Sequence, residues 1–246
     1  MHIESEELVS SKIAAFQGKG SRNNKLVLKI LALGGPLIKY DIFKALKSEG
    51  IRNYPTISRR VDDLKRRGYL ENAGTRLIRV GKRVEESHTY GLRWRGFIAC
   101  LAIGDARENL IRVLENNHLL EKVLPNSVSK QIIIDILKEL FSQEELETIS
   151  KGILEGYLMA IPENLEWINE GELVAYIVPA LIKSSSVWTL ISKKDLSKLL
   201  SIKGLPELLL TMTTGFEMQL NQSLEAIKVL KGQLNQYVAT GREQLR

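Results

Sequence analysis

The sequence is poor in the residues that build covalent frameworks, metal centres and membrane spans. Cys100 is the only cysteine in 246 residues, which excludes a disulfide framework and a cysteine cluster for zinc. The three histidines are scattered and form no ligand pair at helical spacing. The most apolar stretch, residues 173–182, is far too short to span a bilayer and contains Pro179. The N-terminus is acidic and lacks the pattern of a secretory signal. These absences predict a cytoplasmic protein with no metal, no cofactor and no membrane contact.

Catalytic patterns are missing as well. Adjacent carboxylates such as Glu144-Glu145 point in different directions on a helix, and the serine run 184–186 has no histidine nearby in the sequence. We therefore do not expect an enzyme. A helical pocket for a small effector, lined by Trp167, Trp188 and Tyr176, stays open as an alternative, although aromatic residues in a helical region are more often core residues.

The charged residues are distributed unevenly along the chain. The formal net charge of the whole protein is +6. Residues 1–104 contain 20 Lys and Arg against 10 Asp and Glu, whereas residues 105–246 contain 15 against 19. A basic part joined to a mildly acidic part indicates that the first meets a polyanion and that the second has another task.

The apolar spacing predicts three helices, a hairpin and a fourth helix in the first 104 residues. In the third helix, Ile57, Val61 and Leu64 recur at i, i+4 and i+7. A short amphipathic helix over 3–16 and a flexible break over 18–24 are expected ahead of these elements. The predicted helices cover about 25–33, 39–48 and 55–67, the strands cover 69–80 and 87–92 with a polar tip between them, and the last helix starts near Arg93. This is the order of elements in a winged helix.

Several motifs in this segment resemble winged-helix transcription regulators of the PadR type. Gly35-Pro36-Leu37, followed by Tyr40-Asp41-Ile42 and Leu46, is similar to a turn and second helix of that family, with Lys39 at a position that is usually glycine. Residues 56–64 with Gly68-Tyr69-Leu70 are similar to its recognition helix and exit turn. Tyr90, Leu92 and Gly96 match its strand-to-helix ending. The resemblance covers about a third of the chain and implies a winged helix-turn-helix domain that binds double-stranded DNA.

Polar and basic residues are concentrated on the two elements that contact DNA in such a domain. With its apolar face turned inward, the third helix presents its other side to the major groove. An arginine there can pair with guanine through two hydrogen bonds, and cations at the helix end or on the wing suit phosphate. The predicted DNA-binding residues on the helix are Tyr54, Thr56, Ser58, Arg59, Arg60, Lys65 and Arg66. Those on the wing are Arg76, Arg79, Lys82 and Arg83.

The second half of the chain is predicted to be entirely helical. Ser142 and Glu145 form a capping box that opens one helix. Further helices are expected over 128–141 and 193–202, the latter capped by Ser192 and Asp195. Over residues 206–238, apolar side chains recur every three or four residues, which is the period of a coiled coil. We expect a homodimer through this helix, since paired helix-turn-helix units bind half-sites about one helical turn apart. Packing of the apolar stripe against its own domain stays open as an alternative.

The sequence therefore predicts a mainly α protein in three parts. Residues 1–21 form an N-terminal helix and linker, residues 22–104 a winged helix with a three-helix core and a two-stranded β wing, and residues 105–246 an all-α domain for oligomerisation or sensing. The expected function is that of a sequence-specific DNA-binding transcription regulator, with residues 55–67 in the major groove and residues 71–92 on the backbone or minor groove. Two alternatives stay open: a winged-helix scaffold for protein interactions, and an architectural DNA-binding protein in replication or partition.

Overall fold

The computed structural model describes most of the chain. The described residues are 9, 11–81, 83–124, 126, 128–161, 164–176, 180, 184–207, 210, 214, 217–218, 221, 224–225 and 227–232. Among them, no helix is both long enough and apolar enough to cross a membrane. Within the same residues, no three His, Cys, Asp or Glu side chains lie close enough together to hold a metal ion.

Three helices form the body of the N-terminal part, as predicted. They are α1 (Ser21–Gly34), α2 (Lys39–Leu46) and α3 (Tyr54–Arg66). Each helix buries apolar side chains at helical spacing, and Leu28, Ile42 and Ile57 are fully buried where the three helices meet. The second helix ends at Leu46, two residues earlier than expected.

The segment ahead of α1 is ordered by contacts with the rest of the protein. Short 3-10 turns cover Ala14–Phe16 and Gly18–Gly20, and α1 begins immediately afterwards at Ser21. The prediction of a flexible break over residues 18–24 was wrong, because Asn24 is buried and its amide donates to the carbonyl of Ala15 at 2.8 Å. Of the predicted helix over 3–16, residues 3–8 and 10 lie outside the described residues.

A three-stranded antiparallel sheet follows the helices. The strands are β1 (Leu37–Ile38), β2 (Leu70–Val80) and β3 (Arg83–Leu92), in the order β1-β3-β2. The long β2–β3 hairpin is the predicted wing. Residues 83–86, which were expected to belong to its polar tip, are part of β3. The strand β1 was not predicted, because two residues are too few to carry a periodic pattern.

A β-bulge interrupts the pairing of the wing near its base. Asn72 lies opposite Tyr90 and Gly74 lies opposite Thr89, so Ala73 is an extra residue in β2. Gly74 has a φ of 136°, a conformation that side chains other than hydrogen rarely allow. Because of this extra residue, the side chains of β2 beyond the bulge lie on the faces opposite to those that regular alternation from Leu70 would give them.

The helix α4 (Trp94–Leu101) follows the wing and is buried along its whole length, which confirms the predicted fourth helix. Gly96 is required here, because a side chain at this position would collide with the carbonyl oxygen of Tyr69. The helix therefore packs directly against the residue that immediately precedes the hairpin.

The remaining helices confirm an all-α second half. They are α5 (Gly104–Glu108), α6 (Leu110–Asn116), α7 (Lys130–Leu140), α8 (Gln143–Ala160), α9 (Glu170–Ala175), α10 (Ser185–Ile191) and α11 (Ser197–Leu200). The capping box of Ser142 and Glu145 opens α8 as predicted. The predicted helix over 193–202 is much shorter, because Asp195 accepts from the backbone N–H of Ser197 at 3.0 Å and helical structure begins only there.

Contacts divide the chain into two compact units, Met1–Leu205 and Pro206–Arg246. The predicted boundary after residue 104 lies inside the first unit and stays a prediction. In the second unit, the described residues between 210 and 232 are helical and exposed. Of the predicted coiled-coil positions, Leu224, Ile227 and Leu230 are described, and each is more than half exposed. The other positions, which are Leu209, Met212, Phe216, Leu220, Leu234 and Tyr237, lie outside the described residues.

Candidate nucleic-acid interface

The helix α3 is built to present one polar face. Asn53 caps its N-terminus by accepting from the backbone N–H of Thr56 at 3.4 Å, and Pro55 occupies the first turn, where a missing N–H costs nothing. Ile57, Val61 and Leu64 are fully buried. Since these three residues fix the inward face, Arg59 and Arg66 lie on the opposite face of the helix.

The four predicted cations of α3 have different surroundings. Arg59 is exposed and makes no ion pair with any residue that the structure describes. The guanidinium of Arg60 instead packs against Gly20, where a Cβ atom would collide with it. The ammonium of Lys65 lies 6.0 Å from the ring centroid of Tyr90, and Arg66 is paired with Asp63. Arg59 is therefore the cation of this helix that is most available to a ligand.

Two aspartates share the outer side of α3, and both are partnered. Asp62 lies 2.6 Å from the ammonium of Lys39, and Asp63 is paired with Arg66 and Arg67. Burial would lower the pKa of Lys39, but the hydrogen bond to Asp62 and the neighbouring Tyr90 raise it above its ordinary value. These ion pairs reduce the repulsion that the aspartates would exert on a polyanion. An open groove of about 490 Å³ runs along this side and is lined by Arg59, Arg60, Asp62, Asp63 and Arg66.

Exposed aromatic rings surround the start of α3. The ring centroid of Tyr54 lies 6.3 Å from that of Tyr40 and 5.5 Å from that of Phe43. Tyr40 is 56% exposed and Tyr54 is 39% exposed. Tyr40 was missing from the predicted site, although the sequence carries a signal for it: a tyrosine on the polar side of α2, opposite the inward-facing Ile42. Thr56 and Ser58 of α3 are half-buried.

The basic residues of the wing lie on both faces of the hairpin. Residues directly opposite each other in an antiparallel pair share a face. Arg76 therefore shares a face with Arg83, whereas Arg79 lies on the other face with Val84. Arg76 is paired with Asp41 of α2 at 2.8 Å. Arg79 and Arg83 are exposed and make no ion pair with the described part of the chain; Lys82 lies outside the described residues.

The exit turn of α3 is held by residues from the second half of the chain. The carboxylate of Glu166 accepts from Arg67 at 3.1 Å and from the hydroxyl of Tyr69 at 2.8 Å. Burial and the neighbouring carboxylate raise the pKa of Tyr69, so this hydroxyl stays a donor. The buried guanidinium of Arg95 donates to the carbonyl oxygens of Arg67, Leu165 and Ile168. Sequence reasoning missed this network, because its partners lie between 28 and 99 residues apart.

Comparison with known proteins adds little to this geometry. No family model matches the chain, and no curated protein matches it. The chain is similar to a solved structure of Bacillus subtilis PadR in complex with operator DNA, with 18% sequence identity over 69% of this chain and 94% of that chain and a TM-score of 0.24. The candidate interface is therefore defined by the residues of this chain.

Proposed function

We propose that the protein is a sequence-specific transcription regulator that binds double-stranded DNA. The recognition helix α3 would enter the major groove, and the wing β2–β3 would contact the backbone or the minor groove. The observation that supports this most directly is Arg59, an exposed cation that has no ion pair among the described residues and lies on the face of α3 opposite the buried Ile57, Val61 and Leu64. Arginine in that position can read guanine through two hydrogen bonds.

The wing supplies the second part of the proposed interface. Arg79 and Arg83 are exposed and unpaired among the described residues, and they belong to an element that projects separately from α3. A protein-interaction scaffold has no need for free cations on both elements. Contacts from the wing to phosphate would position the recognition helix without reading the sequence.

The proposal includes a cytoplasmic homodimer. Leu224, Ile227 and Leu230 are exposed apolar residues of the second unit, and they belong to the row over 206–238 in which the sequence predicts a coiled-coil period. A second copy of the helix over 206–238 would cover this row and would place two recognition helices on one DNA site. We propose residues 1–21 as the N-terminal segment, residues 22–104 as the DNA-binding part, and residues 105–246 as the part for oligomerisation or sensing.

The test is a fluorescence anisotropy titration with genomic duplex fragments and with random duplexes at several salt concentrations. The affinity should fall steeply with salt, because phosphate contacts release counterions. Arg59→Ala should lower the discrimination between specific and random DNA by about 1–3 kcal/mol. Arg83→Ala should weaken binding to all sequences alike and reduce the salt slope by about 1.

Lys151→Ala is the matched control, since Lys151 is an exposed cation on α8. This variant should bind like the wild-type protein. An affinity that does not depend on salt would remove the DNA proposal and would favour a protein-interaction scaffold. Equal losses for Arg59→Ala and Arg83→Ala on specific and random DNA would contradict the division of roles between helix and wing.

A further inference from the structure

The segment around the start of α1 is basic and carries no acidic residue. Residues 8–40 contain six Lys and Arg and no Asp or Glu. Four of the six are held by contacts within the fold: two by ion pairs (Lys29 and Lys39), one by an aromatic ring (Lys25) and one by backbone carbonyl oxygens (Lys12). The other two, Lys19 and Arg22, are exposed and make no ion pair with any residue that the structure describes.

Both cations lie beside α3. The 3-10 turn Gly18–Gly20 packs against this helix, because the guanidinium of Arg60 occupies the place where a Cβ atom of the buried Gly20 would lie. Arg22 donates to the backbone carbonyl of Glu49, ahead of α3, at 3.4 Å. Lys19 directly precedes Gly20, and Arg22 follows it by two residues. Lys19, Arg22 and Arg60 therefore form one basic surface, which we call the flank patch.

The acidic residues near the flank patch do not neutralise it. Asp62 and Asp63, which follow Arg60 on α3, are both paired with other cations. Glu49 contacts Arg22 through its backbone carbonyl, not through its carboxylate. Two exposed cations lie within three residues of Glu49 in the chain, and these are Lys47 and Arg52. The flank patch therefore keeps a net positive charge, and its composition selects an anionic ligand.

The flank patch and the wing lie on opposite sides of α3. Arg60 and Lys65 are five residues apart, which is about 140° around the helix axis. Arg60 meets the turn before α1, whereas the ammonium of Lys65 lies 6.0 Å from the ring centroid of Tyr90 in β3. The outward-facing Arg59 and Arg66 lie between these two sides. The turn before α1 and the base of the wing thus border the same outward face.

This placement indicates which anion the flank patch meets. Arg60 covers Gly20 and also lines the open groove along α3, so the flank patch is continuous with the proposed DNA interface. A major groove is about 12 Å wide and has a phosphate backbone along each border. A helix of about 10 Å in diameter fills this width, and the elements beside it then lie at the two borders. The wing would meet one backbone and the flank patch the other.

We propose that Lys19, Arg22 and Arg60 bind phosphates of the DNA backbone at the border of the major groove opposite the wing. The proposal rests on the proposed function and extends it, because the duplex would be held on both sides of α3. Phosphate contacts fix the orientation of a helix in the groove and carry no sequence information. The flank patch would therefore add affinity and salt dependence without adding discrimination between sequences.

The experiment uses the full chain, a duplex that the wild-type protein selects from a randomised library, and random duplexes. Anisotropy titrations at several salt concentrations give the salt dependence of the affinity. A further series of selected duplexes carries one uncharged methylphosphonate linkage, which is moved along both strands. The wild-type protein should lose affinity wherever this linkage replaces a phosphate that the protein contacts.

The double variant Lys19→Ala with Arg22→Ala should reduce the slope of log affinity against log salt by about 2, because two phosphate contacts are lost. It should also become insensitive to methylphosphonate at positions that differ from those made insensitive by Arg83→Ala. Its ratio of affinities for selected and random duplexes should stay unchanged. The matched control, Lys151→Ala with Lys193→Ala, removes two exposed cations of the second half and should behave like the wild-type protein.

Lys19→Ala alone should reduce the salt slope by about 1, and it replaces the double variant if circular dichroism shows that the latter does not fold. A wild-type protein that binds no duplex overturns the proposed function and the flank patch with it. Variants that keep the salt slope and the methylphosphonate pattern of a DNA-binding wild-type protein overturn the flank patch alone. A double variant that keeps both but has a smaller mass in light scattering shows that the flank patch joins two copies of the chain, which also overturns the phosphate site.

Discussion

At the scale of single residues, Glu166 links the exit turn of α3 to the second half of the chain. It lies in the 3-10 turn Leu165–Trp167 and accepts from Arg67 and Tyr69, which come directly after α3. Burial would lower the pKa of Arg67, but the hydrogen bond and the charge of Glu166 raise it. The charge of one glutamate in the second half of the chain thus stabilises the position in which α3 ends.

Glu166→Gln should lower the free energy of unfolding by about 1–3 kcal/mol, because an amide cannot match a carboxylate that accepts from a guanidinium and a hydroxyl. Urea denaturation followed by circular dichroism measures the change. Glu144→Gln is the control, since Glu144 is exposed on α8, and its effect should stay within about 0.5 kcal/mol. If Glu166→Gln and Glu144→Gln have the same free energy of unfolding, the carboxylate of Glu166 does not stabilise the fold more than an exposed glutamate does.

At the scale of elements, the start of α3 depends on one side chain. The carboxamide of Asn53 is the cap of the helix, and the residues that follow it, Tyr54 and Thr56, belong to the proposed interface. A frayed first turn would displace these side chains before it affected the buried positions further along. The geometry of the interface is therefore coupled to the cap.

Asn53→Ala should lower the free energy of unfolding by about 0.5–2 kcal/mol, because it removes the acceptor for the N–H of Thr56. Asn53→Asp should preserve stability, since its carboxylate caps equally well. Thermal unfolding of the three proteins measures both effects. If Asn53→Asp is as unstable as Asn53→Ala, the loss comes from another contact of the asparagine and the cap is not its cause.

Much of the element structure was predictable, because it follows from local patterns. The spacing of Ile57, Val61 and Leu64 was sufficient to predict α3 and its outward face, and the capping box of Ser142 and Glu145 was sufficient to predict the start of α8. The surroundings of the cations were not predictable in this way. The contact of Arg60 with Gly20 depends on how distant segments pack, and helical spacing carries no information about that packing.

At the scale of the whole molecule, residues outside the winged helix complete the hydrogen bonding of its first helix. The carbonyl oxygens at the end of α1 accept hydrogen bonds from α6 and from the residue that follows it. Arg112 and Asn116 donate to Leu33, and the buried Asn117 donates to Ala32 at 3.0 Å. These donors satisfy carbonyls that a helix C-terminus otherwise leaves without partners. They lie beyond the predicted boundary at residue 104.

A chain that ends at residue 104 should therefore melt at a temperature more than about 10 °C lower than a chain that ends at residue 205, or should fail to fold. The shorter chain loses the caps of α1 and also leaves the guanidinium of Arg95 without the carbonyls of Leu165 and Ile168. Differential scanning calorimetry compares the two. Equal melting temperatures would show that residues 22–104 form an independent domain, as the sequence predicts.

Because β2 contains the bulge at Ala73, the number of residues in this strand decides which side chains lie on each face of the wing. Deletion of Ala73 would restore regular pairing and leave every later residue opposite its present partner. Deletion of Thr75 would instead move the later side chains of β2 to the opposite face, so that Arg76 and Leu77 exchange the surroundings they meet. Among relatives that diverge from this chain, a single lost codon in the wing would therefore change its surface more than several substitutions, and it would do so without altering α3.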